Sequence, residues 1–327
     1  MNNINHQLIS LCKPIPGALF FLFFLFAQTG QAQPFTPGTP EILVDGEASY
    51  FMSPVWSPDG QRIAFTSAEY RGIWTVPAEG GTPTRITSED AAGFGFSWSS
   101  DGSTIAARPA RFDDRYRLNA IKVYNVDTGS ENVLRDFQRG QMSLPQWTDL
   151  DQHIAVQVQR EVEILDTGIE PARREKQVRD ESVLVPRNNR IEKFSLEASE
   201  TTVVEDFGDR NILNLVPSPD GSMTAVQVMG EGIYVIDADG SNLCEFGRAE
   251  HPVWTPDGRY LIAMITEDDG HHITGSELYA IEISTARRHH LTAHTDLIAL
   301  HPTVSPDGQR IAFGDSRSGR IYTMTIR

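Results

Sequence analysis

Hydrophobic and polar positions alternate along this chain in short runs, and one pattern of alternation keeps returning. Pro302-Thr303-Val304-Ser305-Pro306-Asp307-Gly308-Gln309-Arg310-Ile311-Ala312-Phe313 has a near copy in Pro54-Val55-Trp56-Ser57-Pro58-Asp59-Gly60-Gln61-Arg62-Ile63-Ala64-Phe65. Each copy reads as two short strands around a tight turn. Serine or threonine suits the first turn position, proline presets φ at the second, and glycine takes the positive φ that closes it. The aspartate can accept hydrogen bonds from nearby backbone N–H groups, which gives the turn aspartates a structural reading. The apolar run that follows predicts a buried second strand.

Six copies can be laid along the chain, with turn positions at Asp59, Asp101, Leu150, Asp220, Asp257 and Asp307. The third, around Trp147, has lost its turn residues and kept its strand, and the fourth carries Pro217 where four others carry tryptophan. A second alternating run follows each hairpin, marked by an aromatic residue at Trp74, Tyr124, Phe194, Tyr234, Tyr279 and Tyr322. Polar turns then lead to fourth strands over residues 84–87, 132–135, 202–205, 242–245 and 289–292. Four antiparallel strands per repeat, at a mean spacing of (322 − 74)/5 or about fifty residues, predict an all-β, six-bladed β-propeller.

Two departures from regularity refine the picture. The last repeat stops at Arg327 after its third strand, while residues 39–45 hold an unclaimed strand ahead of the first hairpin. An N-terminal strand completing the last blade would close the ring and remove exposed sheet edges. The interval between Tyr124 and Phe194 is also too long, and its excess falls in a polar stretch at about 160–190. That stretch reads as an insertion, either a solvated excursion or a protruding hairpin of 162–165 with 183–185, and long insertions in compact domains are also used for binding.

Composition adds a compartment. Residues 1–32 carry Lys13, an apolar run over 18–27 rich in Phe and Leu, and the small residues Gly30 and Ala32, which is the form of a secretory signal peptide cut before Gln33. Ten apolar residues are too few for a bilayer span, which needs ~20. Removing the signal takes away one lysine and no acid, so the net charge moves from −16 to −17. That charge argues against nucleic acid or anionic membrane as partner. Of the two cysteines, Cys12 lies in the signal and Cys244 alone remains, which predicts no intrachain disulfide in the processed chain. A propeller over 33–327, monomeric and periplasmic or secreted, is the resulting expectation.

The repeated Trp-Ser-Pro-Asp-Gly-x-x-Ile-Ala-Phe pattern resembles the propeller repeat of the TolB family of periplasmic proteins. Asp315-Ser316-Arg317-Ser318-Gly319 ahead of Ile321-Tyr322 is similar to that family's loop between second and third strands. The likeness covers about residues 38–327 and implies a TolB-like propeller. TolB itself carries an α/β domain before its propeller and works in the Tol–Pal system; only residues 33–37 precede the first strand here, so the resemblance implies the propeller alone. Prolyl oligopeptidase-type peptidases share the repeat, but no Gly-x-Ser-x-Gly nucleophile elbow occurs in this sequence. Oligogalacturonate lyases also resemble it, and hold a metal among histidines at the propeller centre.

That last resemblance directs attention to the histidines. His251 and His301 occupy one repeat position, just before the proline that opens an innermost strand; Ser53, Gly95, Leu144 and Asn214 fill it elsewhere. His271, His272 and His294 lie on loops of the same face, with Asp268 and Asp269 beside them. Imidazoles with carboxylates can hold a transition metal, yet no tight ligand spacing appears. The expectation is that His251 and His301 approach one another and the loop histidines stay too far out to complete a site, with no cofactor bound. Trp56, Trp98, Trp147 and Trp254 read as packing between blades. The function that follows is a non-catalytic, exported scaffold binding a protein or cell-envelope component through one face. The alternative is a metal-assisted, oligogalacturonate-lyase-like enzyme acting on an acidic sugar polymer at the channel mouth.

Overall fold

Turn residues punctuate this chain every few positions and the runs between them are rich in Val, Ile, Tyr and Phe, a composition that packs as pleated sheet. The computed structural model describes residues 35–46, 49–148, 151–170, 182–196 and 198–326; the signal-peptide reading of 1–32 lies outside them. Strand β1 (Glu41–Val44) stands apart in sequence from its sheet. The first blade follows as β2 (Phe51–Trp56), β3 (Arg62–Ser67), β4 (Ile73–Pro77) and β5 (Thr84–Thr87). The second holds β6 (Ser97–Trp98), β7 (Thr104–Ala107), β8 (Ala110–Asp113), β9 (Tyr116–Asn125) and β10 (Glu131–Arg139). The next two have three strands each among the described residues: β11 (Gln146–Thr148), β12 (His153–Val158) and β13 (Glu161–Asp166), then β14 (Ser182–Arg187), β15 (Arg190–Ser195) and β16 (Thr201–Asp206). Four-stranded blades return with β17 (Ile212–Pro217), β18 (Met223–Val228), β19 (Gly232–Asp237) and β20 (Cys244–Gly247), and with β21 (Glu250–Trp254), β22 (Tyr260–Asp268), β23 (Ile273–Glu282) and β24 (Arg288–His290). The last is β25 (Ala299–Val304), β26 (Arg310–Asp315) and β27 (Ile321–Thr325), completed by β1.

The propeller therefore has seven blades and not six. The stretch read as an insertion contains two strands of the ring: β13 pairs with β12, and β14 pairs with β15, so 162–165 and 183–185 do not form a hairpin with each other. Strand β14 runs from Ser182, beside the Asp220–Gly221 turn, up to Arg187, whose Nη2 donates to Arg160 O at 2.8 Å. That is the direction of a second strand, which makes β15 and β16 the third and fourth strands of a blade of their own. The aromatic marker of the third strand explains the miscount. Phe65 faces Trp74 across the sheet, and Phe313 faces Tyr322, but Val156 faces Glu163. A glutamate paired with Arg135 stands where the pattern calls for an aromatic ring.

The core is distributed, with one apolar cluster in each gap between blades. Phe51, Trp56 and Ile63 of the first blade pack on Val44, Ala312 and Ile321 of the last, and Tyr260, Ile262 and Leu278 pack on Leu300, Ile311 and Phe313. Clusters likewise join blades one and two around Ile73, Trp98 and Tyr124, and blades two and three around Ile121 and Ile154. The gap between blades three and four holds Ala155, Val183 and Val185, with Val162 and Phe194 beside them. The repeated tryptophans take the packing role: Trp98 Nε1 donates to Val55 O (3.2 Å), Trp147 Nε1 to Ser97 O (3.2 Å) and Trp254 Nε1 to Val216 O (2.8 Å). Each reaches the innermost strand of the blade before it.

The turns are built as one device used five times. Ser57 Oγ donates to Asp59 Oδ1 at 2.6 Å and accepts from Arg62 N, while Asp59 Oδ1 accepts from Gln61 N. Ser99 with Asp101, Ser218 with Asp220, Thr255 with Asp257 and Ser305 with Asp307 repeat the hydroxyl-to-carboxylate bond at 2.5–2.7 Å. The Ser222 N–H and the Ser218 and Ser222 hydroxyls pull the Asp220 carboxyl down to about 2. The turn glycine carries the positive φ, 72° at Gly60 and 71° at Gly308. The third copy's turn position, Leu150, lies outside the described residues. Two sets of loops result. The Asp-Gly turns lie on one face of the ring, and the loops joining second to third and fourth to first strands lie on the other, called here the loop face.

Closure follows the expected route. Glu41 pairs with Thr323, Ile42 with Tyr322 and Val44 with Ile321, as the outer strand of the seventh blade rather than a sixth. Gly38 N donates to Thr325 O at 2.9 Å, and Arg320 Nε reaches Asp45 Oδ1 at 3.0 Å. Cys244 opens β20, and Cys12, the other cysteine of the sequence, lies outside the described residues.

Deleting residues 38–46 should open the ring at β27 and expose an unpaired edge, giving concentration-dependent aggregation in light scattering; a truncated protein that stays monomeric with an unchanged melting temperature would refute the closure. At the turns, the Asp220 carboxyl is a stronger acid folded than unfolded, so its contribution is complete above pH about 4 and lost as pH falls toward 2. Asp220→Asn should lower the melting temperature at pH 7, with the gap to wild type closing on acidification to pH about 2.

Candidate functional site

At the loop-face end of the innermost strands, three blades share a strained backbone. Ser53, His251 and His301 adopt φ of 53°, 52° and 52°, and each is followed by proline. Pairing skips at the same places, between Met52 and Val55, Glu250 and Val253, and Leu300 and Thr303. The extra residue is a β-bulge, and a bulge re-aims its side chain out of the pleat. A left-handed non-glycine residue costs of order 1–3 kcal/mol. At blades six and seven this brings two imidazoles together, with ring centroids 5.1 Å apart and planes at 76°.

The pair is held neutral. Burial first, and the neighbouring His301 second, push His251 down to about 4, and burial lowers His301 as well. The backbone is pinned from the blades before: His251 N donates to Gln227 Oε1 at 3.0 Å, and His301 N to Met264 Sδ at 3.5 Å. His301 Nδ1 is buried without a hydrogen-bond partner. Two neutral imidazoles offer lone pairs, but protein zinc sites use three or four groups, and among the described residues no set of three His, Cys, Asp or Glu side chains is placed to share a metal.

The loop histidines do not join them. His271 and His272 are exposed at the tip of the β22–β23 hairpin, and their N–H groups both donate to Asp269 Oδ1, at 2.9 and 2.8 Å. Those two bonds hold the Asp269 carboxyl below its usual range. Asp268 Oδ1 accepts from Gly270 N, so both carboxylates fold the turn. His294 Nε2 bonds to Gly38 O at 3.1 Å, tying its loop to the closing segment.

What sequence reading passed over lies across the same face. A cleft of about 980 Å3 opens beside blades two to four, lined by Arg108, Arg117, Arg160 and Arg187 together with Gln141 and Gln157. Arg108, Arg160 and Arg187 stand at or just beyond the loop-face end of the second strand in three successive blades. That repetition was the signal available, hidden by reading two of those strands as an insertion. Among the described residues, the exposed aromatic side chains are Tyr50, Phe94, Phe112 and Tyr116, and all four sit on loop-face segments. Arg108 lies over the Phe94 ring at 5.9 Å and Arg139 over Tyr116 at 3.5 Å.

The histidine pair predicts a pH dependence. His251 is harder to protonate folded than unfolded, so its neutral form favours the fold above pH about 6.5, and that contribution is lost as pH falls toward 4. His251→Gln should flatten the fall in denaturation midpoint between pH 7 and pH 4; an unchanged slope would show that the pair does not control it.

No protein-family model and no curated relative matches the sequence. In shape the chain is similar to the β-propeller domain of Cps50 (Swd1) from Myceliophteria thermophila, at TM-score 0.60 and 14% identity, covering 88% of this chain and 100% of that one. It is also similar to a TolB-type protein from Agrobacterium tumefaciens, at TM-score 0.52 and 14% identity over 85% of this chain and 91% of that one. With TolB from Acinetobacter baumannii it shares 16% identity over 73% of its own length at TM-score 0.49, and it spans about half, 53%, of that chain. At these identities the likeness is one of fold: the chain is a β-propeller whose structural neighbours include TolB-like proteins.

Proposed function

We propose that this protein is a non-catalytic, exported propeller scaffold that binds a protein or cell-envelope partner through its loop face. The observation that carries the reading is the distribution of exposed aromatics. Tyr50, Phe94, Phe112 and Tyr116 are 38%, 42%, 71% and 52% exposed, and they share one face with a set of arginines. Aromatic residues and arginine are the types enriched in protein interfaces and their hot spots. Phe112 and Tyr116 flank the tip of the β8–β9 hairpin, an added strand pair that lifts them away from the ring. The opposite face presents Asp-Gly turns whose carboxylates are engaged in the turns themselves. Export and a periplasmic or secreted location rest on the signal-like leader and on the TolB-like neighbours.

Immobilised protein should retain a partner from a solubilised envelope fraction, and Phe94→Ser/Phe112→Ser/Tyr116→Ser should lose it with an unchanged melting temperature. A turn-face control, Glu79→Ala/Asp239→Ala, should retain it. Capture that survives the aromatic changes and disappears in the control would refute the loop face as the binding surface.

A further inference from the structure

Four arginines surround one cleft on a chain whose net charge is −16, and among the described residues no aspartate or glutamate lines it. Such a concentration opposes the average field of the molecule. Only Arg187 has a carboxylate beside it among the described residues, Glu192 at 3.1 Å, and its Nη2 is spent on Arg160 O. Arg108 donates through Nη1 to Met142 O, and Arg117 Nε donates to Asn119 Oδ1 at 3.1 Å. These bonds fix the guanidinium planes and leave donors free. The Nε atoms of Arg108 and Arg187 are both buried without a partner. A buried unpaired donor of this kind is costly, and both belong to side chains that line the cleft. Burial, and then the charge of Arg117, disfavour the charged form of Arg108, so positive charge is crowded and uncompensated there.

We propose that this cleft takes a short acidic peptide segment, its carboxylates held by Arg108, Arg117, Arg160 and Arg187. This rests on the loop-face reading above and names the chemistry of the partner's contacting segment. Guanidinium forks match carboxylates two bonds at a time. The volume of about 980 Å3 is far larger than one inorganic anion and lies at the upper end of ordinary binding sites. The amides of Gln141 and Gln157, and the Ser143 hydroxyl, line the same space and supply both donors and acceptors for a peptide backbone. Continuity with Phe94, which Arg108 overlies, places the cleft on the aromatic surface that would hold the rest of the partner.

The test uses the whole protein and a fluorescein-labelled hexaglutamate peptide followed by anisotropy, with hexaserine as control. Saturable one-to-one binding of hexaglutamate alone is expected, weakening as salt rises from 20 to 300 mM. Arg117→Gln/Arg160→Gln changes two exposed side chains and should weaken binding about tenfold or more with no change in melting temperature. Arg108→Lys keeps the charge while removing the fork and should weaken it less. No saturable binding, or binding that the arginine changes leave untouched, overturns the proposal. Oligogalacturonate or inorganic phosphate binding at the cleft in place of hexaglutamate also overturns it, in favour of an acidic sugar or a small anion. Failure here with aromatic-dependent partner capture intact would remove the cleft and leave the loop-face reading standing.

Discussion

Everything in this molecule depends on blades burying apolar surface against one another. A three- or four-stranded antiparallel sheet cannot enclose a core by itself, because its two faces point outward. Here each sheet uses both faces on its neighbours, and the clusters in the gaps supply the hydrophobic burial that the fold requires. A ring is the one arrangement in which no sheet is left with a bare face. The number of blades is then set by how many sheets the chain can make, and by the wedge angle at which Trp98, Trp147 and Trp254 fasten each to the last.

Committing both faces to packing leaves only the two rims for chemistry. One rim is occupied by its own hydrogen bonds: each turn carboxylate serves a hydroxyl and a backbone N–H within its own loop. The other rim is where the chain varies. There the repeat position before the innermost strand changes from serine to glycine to histidine, one blade grows an extra hairpin, and three second strands end near arginine. A bulged backbone conformation recurs at Ser53, His251 and His301 whatever side chain it carries, so the bulge belongs to the architecture and the imidazoles are what these two blades add to it.

The parts of this fold that could be read from sequence are those in which local chemistry and tertiary role coincide. The Ser-Pro-Asp-Gly turn is such a case, since its residue types are demanded by φ and by hydrogen bonds inside the turn. Closure by Glu41–Val44 was readable because an incomplete last repeat and an unclaimed first strand imply each other. The blade count failed where those markers were replaced. Glu163 stands in the aromatic place of β13, and β14 enters its blade without an Asp-Gly turn, so both strands resembled polar insertion. The pair Asn188-Asn189, at φ of 49° and 62°, is the hairpin signal that could have rescued the count. The approach of His251 to His301 was legible from repeat position alone. The arginine cleft was not, because it gathers residues from three blades whose order in the ring depends on counting them correctly.

Closing the ring by pairing the two ends of the chain also fixes how the molecule answers to force. Pro37 bridges Ile326, and Gly38 bonds Thr325, so both ends leave the β1–β27 pair from the same edge. Tension applied between the termini therefore loads one hydrogen bond at a time and peels the strands apart, instead of shearing the row together. A partner that pulled on either tail would find the seventh blade a zipper, and the ring would yield at its seam while the other sheets kept their shape.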